Sequence, residues 1–323
     1  NAEITIIPDG PLAYIPFEAL LSDSTSRENS YFQLPFLLKE YTFNYGYSAT
    51  LQTEMLEKEP EGSPSAGLIA FAPSFPSEQD AQKDRIPEVL SLDLIPNQRA
   101  EHSPLSNNIP EANAVSQITN GTSITGERAT KKAFLREAPK HQIIHLSTHG
   151  KANDELGEYA YLVFQDRPEG SPAEERLYNN ELYSLRLNAD LVVLSACETG
   201  IGELNRGEGV ISLARGFSFA GAKSIVTSLW NVNDQSTRSI MEYFYQHLRV
   251  GLPKHRALQQ AKLDYLEAGN SSEAALNPFY WAAFIQIGDQ NPIKFPTSQS
   301  WIVWLIILGG SLFGLYMSRR NNV

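Results

Sequence analysis

The run from Leu191 to Ser195 constrains the fold most, because these five residues are all apolar or small. Such a run is typical of a strand that is buried on both faces, as in a parallel sheet covered by helices. Cys197, the single cysteine of the chain, follows where this strand ends, and four glycines lie between residues 200 and 209. The sequence therefore predicts an α/β sheet with a thiol at the carboxyl end of a central strand.

A second strand-like run, residues 141–148, ends in a similar way, with His149 and Gly150 directly after it. The carboxyl ends of neighbouring parallel strands meet at one edge of the sheet, where open α/β sheets bind ligands. An imidazole beside a thiol can take its proton, and the thiolate is the nucleophile. Glycine lets its amide approach a substrate carbonyl closely, which suits an oxyanion hole formed with the Cys197 amide. This arrangement predicts a cysteine hydrolase.

The rest of the chain alternates predicted strands and helices. We expect strands at 3–7, 40–45, 67–72, 122–125, 141–148, 159–164, 191–195, 223–229 and 278–287, with a short strand and a helical turn within 12–21. We expect helices at 48–58, 111–119, 129–137, 208–220, 234–249 and 254–267, and a long surface loop at 73–109. Alternation at this spacing predicts a three-layer α/β/α sandwich with a mostly parallel central sheet.

Two other interpretations of these residues were weighed. His141, His145 and His149 recur every four residues, which on a helix would line one face as metal ligands do. In the predicted strand four residues span about 13 Å, which is too far for one ion, so we predict no metal and no cofactor. A lone cysteine is also often a small buried hydrophobic residue, which leaves a structural thiol as the alternative to a catalytic one.

Net charge, cysteine count and the first residues of the chain each exclude or favour certain properties of the protein. The formal net charge of −11 argues against contact with nucleic acid, which requires a basic face. A single cysteine excludes a disulfide within the chain. The chain starts at Asn1 and enters a strand pattern within two residues, so we expect it to be the C-terminal portion of a longer protein.

The C-terminal residues have a different composition. Residues 289–300 form a polar linker, 301–317 carry no charge, and 318–323 form a basic tail. Seventeen residues are at the lower limit of the roughly 17–25 that cross a bilayer, and aromatic residues at both ends favour a transmembrane helix. The alternative is a tail helix docked on the domain. Arg319 and Arg320 favour a cytoplasmic tail, which would place the catalytic part on the other side of the membrane. A reactive, unpaired thiol instead favours a reducing compartment. These two arguments conflict, so the side of the membrane on which the catalytic part lies stays open.

Several motifs occur in a fixed order along the chain. They are His145-Leu-Ser-Thr-His149-Gly150, Leu194-Ser-Ala-Cys197-Glu-Thr-Gly200, Gly207-Glu-Gly209-Val, Ser228-Leu-Trp230-Asn-Val-Asn-Asp234 and Pro278-Phe-Tyr-Trp281. Together they resemble the CHAT-domain peptidases, which are relatives of caspases and separases. The resemblance spans residues 1–288, which we take as a peptidase domain.

The resemblance implies a caspase-like fold and cleavage of peptide bonds through a His–Cys dyad. His149 would deprotonate Cys197 and later protonate the leaving amine, and the amides of Gly150 and Cys197 would hold the oxyanion. A strand that pairs with the substrate would comprise Thr227, Ser228, Leu229 and Trp230. Glu198 and Asp234 lie beside the motifs, and an acidic pocket would select lysine or arginine. The alternative is that both carboxylates are solvated or bonded to local backbone amides.

The resemblance also implies partners. An upstream tetratricopeptide-repeat domain or a regulatory protein is expected, together with protein or peptide substrates and a bacterial source. Two function hypotheses follow. The first is a single-pass, membrane-anchored cysteine endopeptidase, and the second is a catalytically silent, caspase-like scaffold that binds proteins.

Overall fold

An eight-stranded sheet is the centre of the fold. The computed structural model describes residues 2–24, 30–48, 50, 66–75, 105–151, 157–165, 175–195, 209–230, 232, 234–269 and 272–295. In chain order its strands are β1 Ala2–Ile6, β2 Tyr41–Tyr45, β3 Ala66–Ala72, β4 Thr122–Thr125, β5 His141–Leu146, β6 Gly150–Lys151, β7 Tyr161–Val163, β8 Arg176–Tyr178, β9 Leu191–Leu194, β10 Ser224–Ser228 and β11 Phe284–Gly288.

The sheet order is β1-β2-β11-β10-β9-β5-β3-β4, and β6, β7 and β8 form a separate small antiparallel sheet. Neighbouring strands of the large sheet pair in parallel except β10 and β11, which are antiparallel. The predicted mostly parallel sheet is confirmed. Because β3, β5, β9 and β10 run in one direction, their carboxyl ends lie along the same edge.

Helices cover both faces of this sheet. They are α1 Asn108–Thr119, α2 Lys131–Glu137, α3 Asn179–Leu182, α4 Gly209–Phe219, α5 Asp234–Arg249, α6 Lys254–Ala268 and α7 Pro278–Trp281. Alternate residues of β5 point to opposite faces, as in any strand. Ile144 shares a core with Phe134 of α2 and Phe217 of α4, whereas His145 contacts Tyr245 of α5 on the other face. The predicted three-layer arrangement is therefore present.

Two local predictions are wrong. The expected strand within 12–21 is replaced by 3-10 turns at Gly10–Tyr14 and Phe17–Ala19, because Pro11 and Pro16 fix φ and lack the amide donor of a strand. The strand expected at 278–287 is confined to β11. Its first residues form α7, where the Asn277 side chain accepts a hydrogen bond from the Phe279 amide at 2.9 Å.

Several predicted segments lie outside the described residues. These are most of the helix at 48–58, most of the loop at 73–109, the transmembrane helix at 301–317 and the tail at 318–323. The compact unit with the sheet extends over Asn1–Ile293, and Lys294–Val323 is a separate unit. In the part of the chain that the structure describes, no helix has both the length and the apolar character needed to cross a membrane.

Asp190, directly before β9, gives the sheet a pH-dependent contribution to stability. Although burial opposes its ionisation, the Lys223 ammonium and the Gln142 amide, each 2.6 Å away, lower the pKa of Asp190. A depressed pKa stabilises the fold above the unfolded-state pKa, and this contribution is lost as pH falls through the folded pKa. Asp190→Asn is expected to lower the free energy of unfolding by about 1–2 kcal/mol near neutral pH. Urea unfolding should show this difference shrinking as pH falls below about 4, the ordinary pKa of aspartate, and an equal difference at neutral and at acidic pH would contradict this account.

Gly221 joins α4 to β10 with a φ of 113°. A Cβ at this position would lie 2.2 Å from the carbonyl oxygen of Leu187, so alanine adds a backbone clash to left-handed strain. Gly251 has a φ of 90° and no neighbour within 4 Å of such a Cβ, which makes it a control for strain alone. We expect Gly221→Ala to cost about 2–4 kcal/mol and Gly251→Ala about 1 kcal/mol. Equal losses in chemical unfolding would refute the clash.

Candidate functional site

The strands that precede the predicted dyad are direct neighbours. β5 and β9 pair in parallel, with Leu146 opposite Leu194, and the Ser195 amide donates to the Leu146 carbonyl at 2.9 Å. The chain therefore leaves β5 toward His149 and β9 toward Cys197 at the same edge of the sheet. Cys197 and Glu198 themselves lie outside the described residues.

His149 is held in a buried position at this edge. Its side chain is nearly inaccessible, at 3 % exposure, and its ring meets the Phe75 ring edge to face with centroids 4.4 Å apart. The Val163 amide donates to the His149 carbonyl at 2.8 Å, which ties the backbone after β5 to β7. The imidazole thus packs against a residue that follows β3, and the backbone of His149 is held by the small sheet.

Gly150 follows as the first residue of β6 and pairs with Leu162 of β7. The hydrogen bond from Val163 to His149 joins the residues that flank this pair. A pair flanked in this way is of the non-hydrogen-bonded kind, in which the two residues do not bond to each other through their own amides. The Gly150 amide therefore points away from β7.

The residues predicted to bind substrate lie at the end of β10 and differ in accessibility. Thr227 and Ser228 are buried, and Thr227 is paired with Leu194 on one side and Ile285 on the other. The Leu229 amide donates to Ala283 at 2.9 Å. Because Thr227 is paired with a strand on each side, it offers no free edge to a substrate strand. Within this set the side chain that is partly exposed is that of Trp230.

Trp230 is anchored to α7. Its indole Nε1–H donates to the Phe279 carbonyl at 2.9 Å, and the two rings stack with centroids 6.3 Å apart. Helix α5 begins at Asp234, the other acidic residue of the prediction, whose side chain lies outside the described part of the chain.

Buried polar residues beneath the site were missed as functional candidates. Asn108, at the start of α1, donates through Nδ2 to the carbonyls of Pro73 at 2.7 Å and Ser147 at 3.4 Å. Glu111, one turn later, accepts hydrogen bonds from the ring of His145 and from the hydroxyl of Ser195. The first turn of α1 thus contacts the chain at the ends of β3, β5 and β9. A signal for this was present in His145, a polar residue between the apolar Ile144 and Leu146 of β5.

The sequence is similar to known proteins over most of its length. The profile of the CHAT domain matches residues 1–289. The chain belongs to the CHAT domain family. Its relatives include tetratricopeptide repeat protein 28 of mouse, which is 24% identical over 333 residues, and that of human, which is 25% identical over 330.

The match to this CHAT chain covers 92% of its length but only 12% of each mammalian relative. Both relatives are mammalian and lend the expected bacterial source no support. Similar solved structures include the Arg-specific cysteine proteinase gingipain R, with a TM-score of 0.46, 10% identity, and coverage of 80% of this chain and 57% of that one. The separase–securin complex of Saccharomyces cerevisiae has a TM-score of 0.43, 12% identity and coverage of 76% and 14%.

Proposed function

We propose that this CHAT domain is a caspase-like cysteine endopeptidase with His149 and Cys197 as its dyad. The observation that carries the proposal is the parallel pairing of β5 with β9, since both strands deliver their following residues to one edge. A histidine and the only cysteine of the chain follow these two strands within three residues of their ends. Neighbouring placement of base and thiol is the requirement for nucleophilic activation.

In the proposed reaction, His149 takes the proton of the Cys197 thiol, and the thiolate attacks the carbonyl carbon of the scissile peptide bond. The amides of Gly150 and Cys197 stabilise the negative oxygen of the tetrahedral intermediate. The orientation of the Gly150 amide away from β7 supports this role. The imidazolium then protonates the departing amine, and His149 deprotonates a water molecule that hydrolyses the thioester.

The proposed substrate is a polypeptide that reaches the edge beside Trp230. This residue supplies a partly exposed aromatic surface, and its hydrogen bond to α7 fixes its orientation. Glu198 and Asp234 are proposed to favour a basic residue at the cleaved position. An upstream repeat domain, as in the tetratricopeptide repeat relatives, and a membrane anchor at 301–317 remain parts of the proposal.

One observation favours the scaffold alternative. His149 is almost inaccessible to solvent, and a buried histidine is a common structural residue. Both the endopeptidase and the scaffold would contact proteins through the same fold. Only a measurement of peptide cleavage therefore distinguishes them.

A peptide-library cleavage assay on the full-length protein tests the proposal. The wild type is expected to cut a subset of peptides with a basic residue at the cleaved position, and Cys197→Ala is expected to cut none. Cleavage that persists in Cys197→Ala would assign the activity elsewhere. Absence of cleavage by wild type, with peptides still bound, would support the scaffold.

A further inference from the structure

A buried carboxylate connects the two strands that lead to the proposed dyad. Glu111 is 2 % exposed, and its Oε1 accepts a hydrogen bond from Nε2–H of His145 at 2.9 Å. The same oxygen accepts a hydrogen bond from the Ser195 hydroxyl. His145 lies within β5, four residues before His149, and Ser195 lies two residues before Cys197.

The hydrogen-bond donors and acceptors of this cluster match one another. Burial, and then the charge of Glu111, raise the pKa of the Tyr245 phenol well above its usual range, so the phenol keeps its proton. With Nε2–H of His145 directed at Glu111, Nδ1 is left to accept from the Tyr245 hydroxyl at 3.2 Å. Tyr245 belongs to α5 and Glu111 to α1. Two helices of one layer therefore fix a single orientation of the His145 ring.

The cluster of Glu111, His145 and Ser195 differs from an ordinary buried ion pair because it lies where β5 and β9 end. Ser195 directly follows β9, and its amide already bonds to the carbonyl of Leu146 of β5. The hydroxyl bond to Glu111 adds a second attachment at the same point, on the face covered by α1. A polar group in a dry interior is expensive to leave unpaired, so each partner holds the others in place.

We propose that Glu111 is a positioning residue, which through His145 and Ser195 holds the ends of β5 and β9 together and so sets the separation of His149 and Cys197. The inference rests on the proposed function. Reactions between fixed groups depend steeply on their geometry, and a displacement of about 1 Å can reduce a rate by about 10²-fold. The cluster would act on Cys197 without touching the substrate.

The test uses the rate of Cys197 alkylation by iodoacetamide as a function of pH in the full chain. Ser195→Ala removes the attachment to β9, and Ser195→Thr retains a hydroxyl. We expect about tenfold slower alkylation of Ser195→Ala near neutral pH, an unchanged rate at high pH, and recovery in Ser195→Thr, because the thiolate fraction falls as the imidazole moves away. Glu111→Gln, which removes the charge, is expected to shift the profile in the same direction.

Matched controls separate positioning from stability. Ser224→Ala removes a buried serine bond to the Asp190 carbonyl at the opposite edge, and Glu18→Gln alters a buried glutamate elsewhere. Both are expected to lower stability without moving the alkylation profile. A profile of Ser195→Ala that matches wild type, or that shifts no more than the controls, would overturn the inference.

If the proposed function itself is wrong, the alkylation experiment gives a different result. Wild type and His149→Ala would then share the pH profile of alkylation that an ordinary thiol shows. In that case amide hydrogen exchange at residues 146–149 and 195 judges the cluster, with faster exchange expected in Ser195→Ala than in Ser224→Ala. Equal exchange in the two variants would overturn the connection between the strands as well.

Discussion

Replacement of His149 by alanine is expected to lower kcat/KM for peptide cleavage by about 10³-fold or more. The imidazole is proposed to act as base toward the Cys197 thiol and as acid toward the leaving amine, and loss of a general acid–base group typically costs about 10²–10⁴-fold. Most of the loss should appear in kcat, because the ring acts on the reacting atoms. Steady-state kinetics on a peptide selected from the library provide the measurement.

His247→Ala is the matched control for this variant. His247 lies away from the sheet edge on α5 and bonds to Asp264 of α6 at 2.6 Å. Its loss should leave kcat/KM within about twofold of wild type, because it removes a partly buried pair that does not contact the reacting atoms. An equal effect of both histidine variants would contradict a specific role for His149.

Lys262→Ala is expected to lower the free energy of unfolding by about 3–5 kcal/mol, because it leaves a buried carboxylate without its countercharge. The Lys262 ammonium and the Glu18 carboxylate lie 2.6 Å apart with exposed fractions of 1% and 5%. Lys262 also donates to the Phe284 carbonyl at 2.6 Å, and Glu18 accepts from the Tyr45 hydroxyl at 2.6 Å. Chemical denaturation monitored by tryptophan fluorescence provides the measurement.

A double-mutant cycle separates the ion pair from the packing. Lys262→Met combined with Glu18→Gln removes both charges and should recover part of the loss seen in Lys262→Met alone. The partly exposed pair of Arg238 and Glu242 is the control, where truncation should cost less than about 1 kcal/mol. If the double variant loses the sum of the two single losses, the pair has no coupling energy.

The strands at the centre of the sheet were predictable because helices cover both faces of a central strand, so its residues are buried regardless of which helix packs on it. β9 has no polar residue, so it is evident as a strand without knowledge of its partners. β5 is evident from Ile143, Ile144 and Leu146, although its other three residues are polar. Their adjacency also followed from strand–helix alternation, which favours parallel sheets. The position of His149 at one edge with the end of β9 was thus accessible from the sequence.

The buried contacts that hold this edge of the sheet in place, such as those of Glu111, were not predictable from the sequence. Glu111 stands in a helix pattern where a carboxylate is ordinarily solvated, and its burial depends on how α1 crosses the sheet. β8 was not among the predicted strands, since Arg176 and Tyr178 flank a single buried Leu177 and the strand is defined by its pairing with β7. Such contacts join residues far apart in the chain, and local pattern carries no information about them.

The separation of His149 and Cys197 tests the central claim most directly. A crystal structure of the full chain with a peptide aldehyde measures it in the reacting geometry. We predict a bond from the aldehyde carbon to Sγ of Cys197, an imidazole nitrogen of His149 within about 4 Å of that sulfur, and the new oxygen within about 3 Å of the Gly150 amide. An unmodified thiol whose sulfur is separated from the imidazole by packed side chains would contradict the account.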